Sequence, residues 1–140
     1  MTITQKRSIS KMILACIAIS FAFISSVAFA EATGTWTNKY QEIDGKWKII
    51  KDADGAKLVL GKDFGTTGAP DLKFILSNKT VEEMDGDNAI DGAVIISKLK
   101  SSSGAQEYKL PNNFSDFKTL ALLCEKYSKL WGATDISNAK

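Results

Sequence analysis

Leu120-Ala121-Leu122-Leu123-Cys124-Glu125-Lys126-Tyr127-Ser128-Lys129-Leu130-Trp131-Gly132-Ala133 is the most apolar run beyond residue 30, and its reading decides the fold. Phe117, Leu120, Cys124, Tyr127 and Trp131 recur at helical spacing, with Ala121 on the same side. Ser115 is placed to cap such a helix and Gly132 to end its last turn. Read as a strand instead, Leu120, Leu122 and Cys124 share one face. Both readings put the thiol among apolar side chains. The sequence has two cysteines and no histidine, and the other cysteine, Cys16, lies near the N-terminus. Cys124 is therefore the one strongly reactive side chain beyond residue 30.

The N-terminal thirty residues have a different composition. Lys6, Arg7 and Lys11 form a basic head without an acid, an apolar stretch from Met12 to Val27 follows, and Ala28-Phe29-Ala30 closes it. That order predicts a secretory signal, residues 1–30, cleaved after Ala30, and a periplasmic or extracellular destination. Ser20, Ser25 and Ser26 dilute the apolar run to the lower edge of the ~18–20 residues a membrane span needs, so a retained anchor is disfavoured. Ile13-Leu14-Ala15-Cys16 loosely spells a lipoprotein site, but the apolar region mostly follows that cysteine where it should precede it.

Removing thirty of the 140 residues leaves 110, and taking Lys6, Arg7 and Lys11 from 18 bases leaves 15 against 16 acids. The mature net charge becomes −1 instead of +2, with no arginine left for bidentate phosphate or guanine recognition. Nucleic acid and anionic membrane surfaces are poor partners for such a chain. Residues 31–140 suit one domain with a genuine core. One remaining cysteine cannot make an internal disulfide, so packing alone must hold the fold outside the cell.

Short segments alternate with turn signals along residues 31–140. Lys46-Trp47-Lys48-Ile49-Ile50 has the period of a half-buried strand, bracketed by Asp44-Gly45 and Asp52-Ala53-Asp54-Gly55. Lys57 to Leu60 reads as its returning partner, Leu72 to Leu76 as the next strand, and Ala93 to Ile96, Glu107 to Leu110 and Trp131 to Ile136 as the rest. Gly61 to Pro70 is a glycine-rich loop without a phosphate-loop pattern. Thr80 to Asp91 is an acidic loop with room for one helical turn. The prediction is all-β, a small antiparallel β-sandwich or barrel of about seven to eight short strands.

The order of these pieces resembles the electron-transfer DM-13 domain family, whose members often sit beside DOMON domains in extracellular redox proteins. The resemblance runs through Gly45 to Ile49, Leu58 to Leu60 with Asp63-Phe64, and Ala69-Pro70-Asp71-Leu72-Lys73-Phe74-Ile75-Leu76-Ser77. It continues through Leu99-Lys100, Gly104-Ala105-Gln106-Glu107-Tyr108-Lys109-Leu110-Pro111 and Leu120 to Ala133. It implies a β domain whose last segment is a strand, against the helical spacing. It also implies a redox cysteine, a bare thiol or a ligand to a group such as haem, at Cys124. The family usually has tryptophan just before that cysteine, where this chain has Leu123, and its phenylalanines correspond to Tyr127 and Trp131.

Four roles are open to Cys124. It can be a small buried hydrophobe, a redox or exchange-competent thiol with Lys126 as the nearest favourable charge, a thiolate ligand to haem iron, or half of an intermolecular disulfide. Leu120, Leu122, Tyr127 and Trp131 are the residues expected to line a pocket beside it. Haem is possible and not required; a sixth ligand would come from Met84, a lysine, a tyrosine or water. The absence of histidine excludes a blue-copper site, a c-type haem motif and a Ser-His-Asp triad, and the ligands for structural zinc are missing. Asp85-Gly86-Asp87-Asn88 with Asp91-Gly92 looks like part of a calcium loop, yet Ala89 stands where a third ligand belongs, so no metal is expected. Asn78-Lys79-Thr80 and Asn113-Phe114-Ser115 are glycosylation sequons, and Trp36 and Trp47 read as core or interface residues. Two functions remain: an exported redox component working through Cys124 with an unknown redox partner, or a non-catalytic interaction module in which that cysteine only packs.

Overall fold

The computed structural model describes residues 29–139, so residues 1–28 of the expected leader lie outside the described residues. The strands are β1 (Phe29–Gly34), β2 (Thr37–Asn38), β3 (Ile43–Asp44), β4 (Trp47–Asp52), β5 (Gly55–Leu60) and β6 (Gly65–Thr66). They continue with β7 (Leu72–Ser77), β8 (Val94–Lys98), β9 (Gln106–Lys109), β10 (Thr119–Cys124) and β11 (Lys129–Asp135). Eight have four residues or more, and β2, β3 and β6 are two-residue strands too short to announce themselves in the sequence.

The strands form an antiparallel sandwich. One sheet runs β1-β4-β5-β9, the other β2-β11-β10-β7-β8, and β3 pairs with β6 apart from both. The Asp52-Ala53-Asp54-Gly55 signal closes the β4–β5 hairpin, with Asp52 opposite Gly55. Alternation then sends Trp47 and Ile49 from β4 and Leu58 and Leu60 from β5 into the space between the sheets. There they meet Phe74, Leu76, Leu120 and Leu122 of the second sheet. Phe74 is the hub, with Trp36 stacked on it at 5.9 Å and Tyr108 edge-on at 4.9 Å between ring centroids.

The five-stranded sheet is buried on its other face as well. Ile75, Ala121, Leu123, Leu130 and Ala133 form a second apolar cluster, closed by Val81, Met84 and Ala89. Those three residues come from the acidic stretch, which is a series of turns whose apolar members point inward while its acids stay exposed. Gly86 fits against the backbone of Ser128 so closely that a Cβ there would lie 1.9 Å from the Ser128 carbonyl oxygen.

This second core explains why Leu120 to Ala133 imitates a helix. A strand covered on both faces has no polar positions to display a period of two, so β10 is apolar at nearly every residue and buried at all six. Leu120, Leu122 and Cys124 share the inner face, as a strand requires. The strand expected over Trp131 to Ile136 is present as β11, and Leu120 to Cys124 is a strand, β10, against the helical spacing. The run is a hairpin, in which β10 ends at Cys124, a 3-10 turn spans Glu125–Tyr127, Ser128 takes a left-handed φ of 49°, and β11 returns. Gly132 does not end a helix. It lies inside β11, where a Cβ would meet Ile43 Cδ1 at 2.8 Å and the Thr37 carbonyl oxygen at 2.9 Å.

Candidate functional site

Cys124 is the last residue of β10, opposite Leu72 of β7 and Lys129 of β11. Its exposure is 0% and it belongs to the apolar cluster between the sheets. It is the free cysteine of the described residues. The turn that follows is fastened to the β7 end. The Glu125 N–H donates to the Asp71 carbonyl oxygen at 3.2 Å, while Lys73 Nζ bridges the Glu125 carboxylate and Asp71 Oδ1, the latter at 3.4 Å. Hydrogen bonding to Glu125, then to Asp71, pushes the Lys73 ammonium above its ordinary pKa. Lys126, the charge expected nearest the thiol, has its ammonium over the ring of Tyr127 at 5.5 Å.

The pocket residues expected from the sequence divide into two pairs. Leu120 and Leu122 are 0% exposed, part of the core, and line none of five surface cavities. Tyr127 and Trp131 line a cleft of about 450 Å³ together with Tyr40, Gly68, Ala69, Pro70 and Lys129. Trp131 owes its place to a β-bulge. Leu122 pairs with Gly132 and Leu123 with Leu130, which leaves Trp131 as the extra residue of β11. Its indole N–H donates to the Thr67 carbonyl oxygen at 3.0 Å, so the ring is held in one orientation.

Tyr40 is the residue that sequence reasoning missed. The chain leaving β2 keeps bonding to β11, with Lys39 N–H donating to the Trp131 carbonyl oxygen at 3.0 Å and Tyr40 N–H to that of Leu130 at 2.9 Å. Those bonds set the Tyr40 ring 5.5 Å from Trp131, with Lys129 Nζ 5.3 Å from the Tyr40 centroid. Only the pairing across ninety residues of chain creates that neighbourhood, so no local pattern signals it.

A thiolate ligand must present an open coordination direction to the iron, and a sulfur with no exposed surface offers none. The residues present therefore do not fit haem at Cys124. No group of three or more His, Cys, Asp or Glu side chains among the described residues is arranged to hold a metal ion. The Asp85 carboxylate instead accepts the N–H groups of Asp87 at 3.0 Å and Asn88 at 2.9 Å, which is turn capping. Among the described residues, no helix is long and apolar enough to cross a membrane.

A family model described as electron transfer DM13 matches residues 35–136. The chain belongs to that family. The match covers all strands from β2 through β11, the Cys124 turn and the aromatic cleft, and the family's description supports a redox role in general. Nothing matches among curated proteins or among solved structures.

Proposed function

We propose that this DM13 chain is an exported redox domain in which Cys124 is the exchanging group, reached by local opening of the Glu125–Ser128 turn. The observation that carries this reading is the position of the sulfur. It is the last residue of β10, followed directly by a three-residue 3-10 turn that Lys73 ties to the β7 end. Segments held by few contacts open at far lower cost than the whole domain unfolds. In the opened turn the Cys124 thiolate attacks one sulfur of a partner disulfide, a mixed disulfide forms, and the second partner sulfur leaves as thiolate. Because the described residues contain no second cysteine, thiols of a separate donor must then resolve it. One attacks the Cys124 sulfur and releases the partner as its dithiol; a second attacks the new mixed disulfide, freeing the Cys124 thiolate and leaving the donor oxidised to a disulfide.

Export rests on the leader-like composition of residues 1–30. Cleavage after Ala30 is compatible with the sheet, since Ala32, Thr33 and Gly34 keep their partners Ile49, Lys48 and Trp47.

The complete burial of Cys124 favours a second reading, an interaction module in which the thiol only packs. Alkylation of the native protein across sub-denaturing urea separates the two. Local opening gives a rate well above that expected from global stability and nearly independent of urea. A rate that follows the global unfolding curve assigns Cys124 to packing and overturns the redox-thiol proposal.

A further inference from the structure

We infer that the cleft bounded by Tyr40, Tyr127 and Trp131 binds a planar aromatic anion. The inference goes beyond the Cys124 proposal and does not depend on it, because occupancy of the cleft is read without any redox step. The volume of about 450 Å³ falls within the ~300–1,000 Å³ usual for small-molecule clefts. Its walls are three aromatic rings with Ala69 and Pro70, a lining suited to flat apolar faces. Tyr40 and Tyr127 are each 56% exposed, an unusual placement for large aromatic side chains that contribute nothing to the core. Trp131 is brought to the floor by the bulge and locked by Thr67, so one wall is rigid before any ligand arrives.

The charge at the rim selects the sign of the ligand. Lys129, the one charged residue of the lining, stands 5.3 Å over Tyr40, Lys126 outside the lining stands 5.5 Å over Tyr127, and no aspartate or glutamate lines the cleft. Both ammonium groups rest on tyrosine rings, from which a ligand anion can draw them. A neighbouring cavity of about 430 Å³ shares Tyr40 and Lys129 but contains Asp85 and Asp87. Those carboxylates repel a second negative charge, so the fitting ligand is a monoanion with its ring against Trp131.

Three probes test this on the purified protein: 2-naphthalenesulfonate, the uncharged 2-naphthylmethanol, and cyclohexanesulfonate, which has the charge without the flat ring. Calorimetric titration should show the first binding at least about fivefold more tightly than either of the others. Amide and indole N–H resonances of Tyr40, Lys129 and Trp131 should shift with it. Tyr40→Ala and Tyr127→Ala should each weaken binding about three- to tenfold with thermal melts unchanged. Lys129→Gln should weaken the sulfonate and leave the alcohol unaffected. Equal binding of the alcohol, shifts elsewhere on the domain, or full affinity in both tyrosine variants would overturn the inference. If Tyr40→Ala disturbs the fold, Tyr127→Ala and Lys129→Gln decide it alone.

Discussion

Replacing Cys124 with serine puts one hydroxyl where the thiol lies at 0% exposure, between the sheets with Leu120, Leu122 and Leu72 in the same cluster. A hydroxyl taken from water into apolar surroundings without a good partner costs about 1–3 kcal/mol. The shorter C–O bond also leaves a slight void, which adds a few tenths of a kcal/mol. The expected loss is therefore ~1–2 kcal/mol, or roughly 5–10 °C in melting temperature for a domain of this length. Cys124→Ala serves as a packing control, losing about 1 kcal/mol from missing contacts alone. Urea unfolding followed by tryptophan fluorescence measures both, with an unchanged m-value showing that the unfolded state is unaffected. A serine variant within about 0.3 kcal/mol of wild type would refute the sealed, apolar setting of the sulfur and with it the need for a turn that opens.

Glycine at 132 is required by the approach of Ile43 and Thr37, so Gly132→Ala should destabilise by ~1–3 kcal/mol in the same urea assay, and a neutral result would contradict the packing of β3 and β2 on β11. Gly86→Ala should loosen the acidic loop, because its Cβ would strike the Ser128 carbonyl; faster amide exchange at Val81 to Ala89 would report it. Alkaline pH should destabilise the domain. Burial pushes the Tyr108 phenol up, against the Lys100 N–H that lowers it, and Lys73 and Lys57 are raised chiefly by hydrogen bonds to Glu125 and Asp52. Each of these groups holds its proton more tightly when folded, so their contribution is intact below about pH 10 and is lost as pH rises through the raised values. Stability that stays level up to pH 11 would contradict this, and Tyr108→Phe should flatten part of the slope. Haemin added to the native protein should give no thiolate-ligated absorption spectrum, whereas a spectrum abolished by Cys124→Ala would show room at the sulfur.

The legible parts of this fold were those with one wet face. β4 and β5 alternate because their outer side meets solvent, and the turn between them carries its own Asp-Gly signal. β10 was illegible by the same rule. The loop over Ile75, Ala121 and Leu123 removes its wet face, and what survives in the sequence is an apolar run whose spacing fits a helix. Family resemblance repaired the strand but not the turn after Cys124, which carries neither glycine nor proline and relies on Ser128 in a left-handed conformation. That turn is where site and fold meet. Had the chain continued straight, Cys124 would be a mid-strand core residue with no nearby edge. Because it turns there, the sulfur lies at the margin of the core, and the following strand returns with a bulge that aims Trp131 toward Tyr40. One irregular corner thus sets both the place of the buried thiol at the end of β10 and the shape of the aromatic cleft. Substitutions at Ser128 or Gly86 should accordingly move alkylation of Cys124 and ligand binding together, whereas the Tyr40 and Lys129 variants should move binding alone.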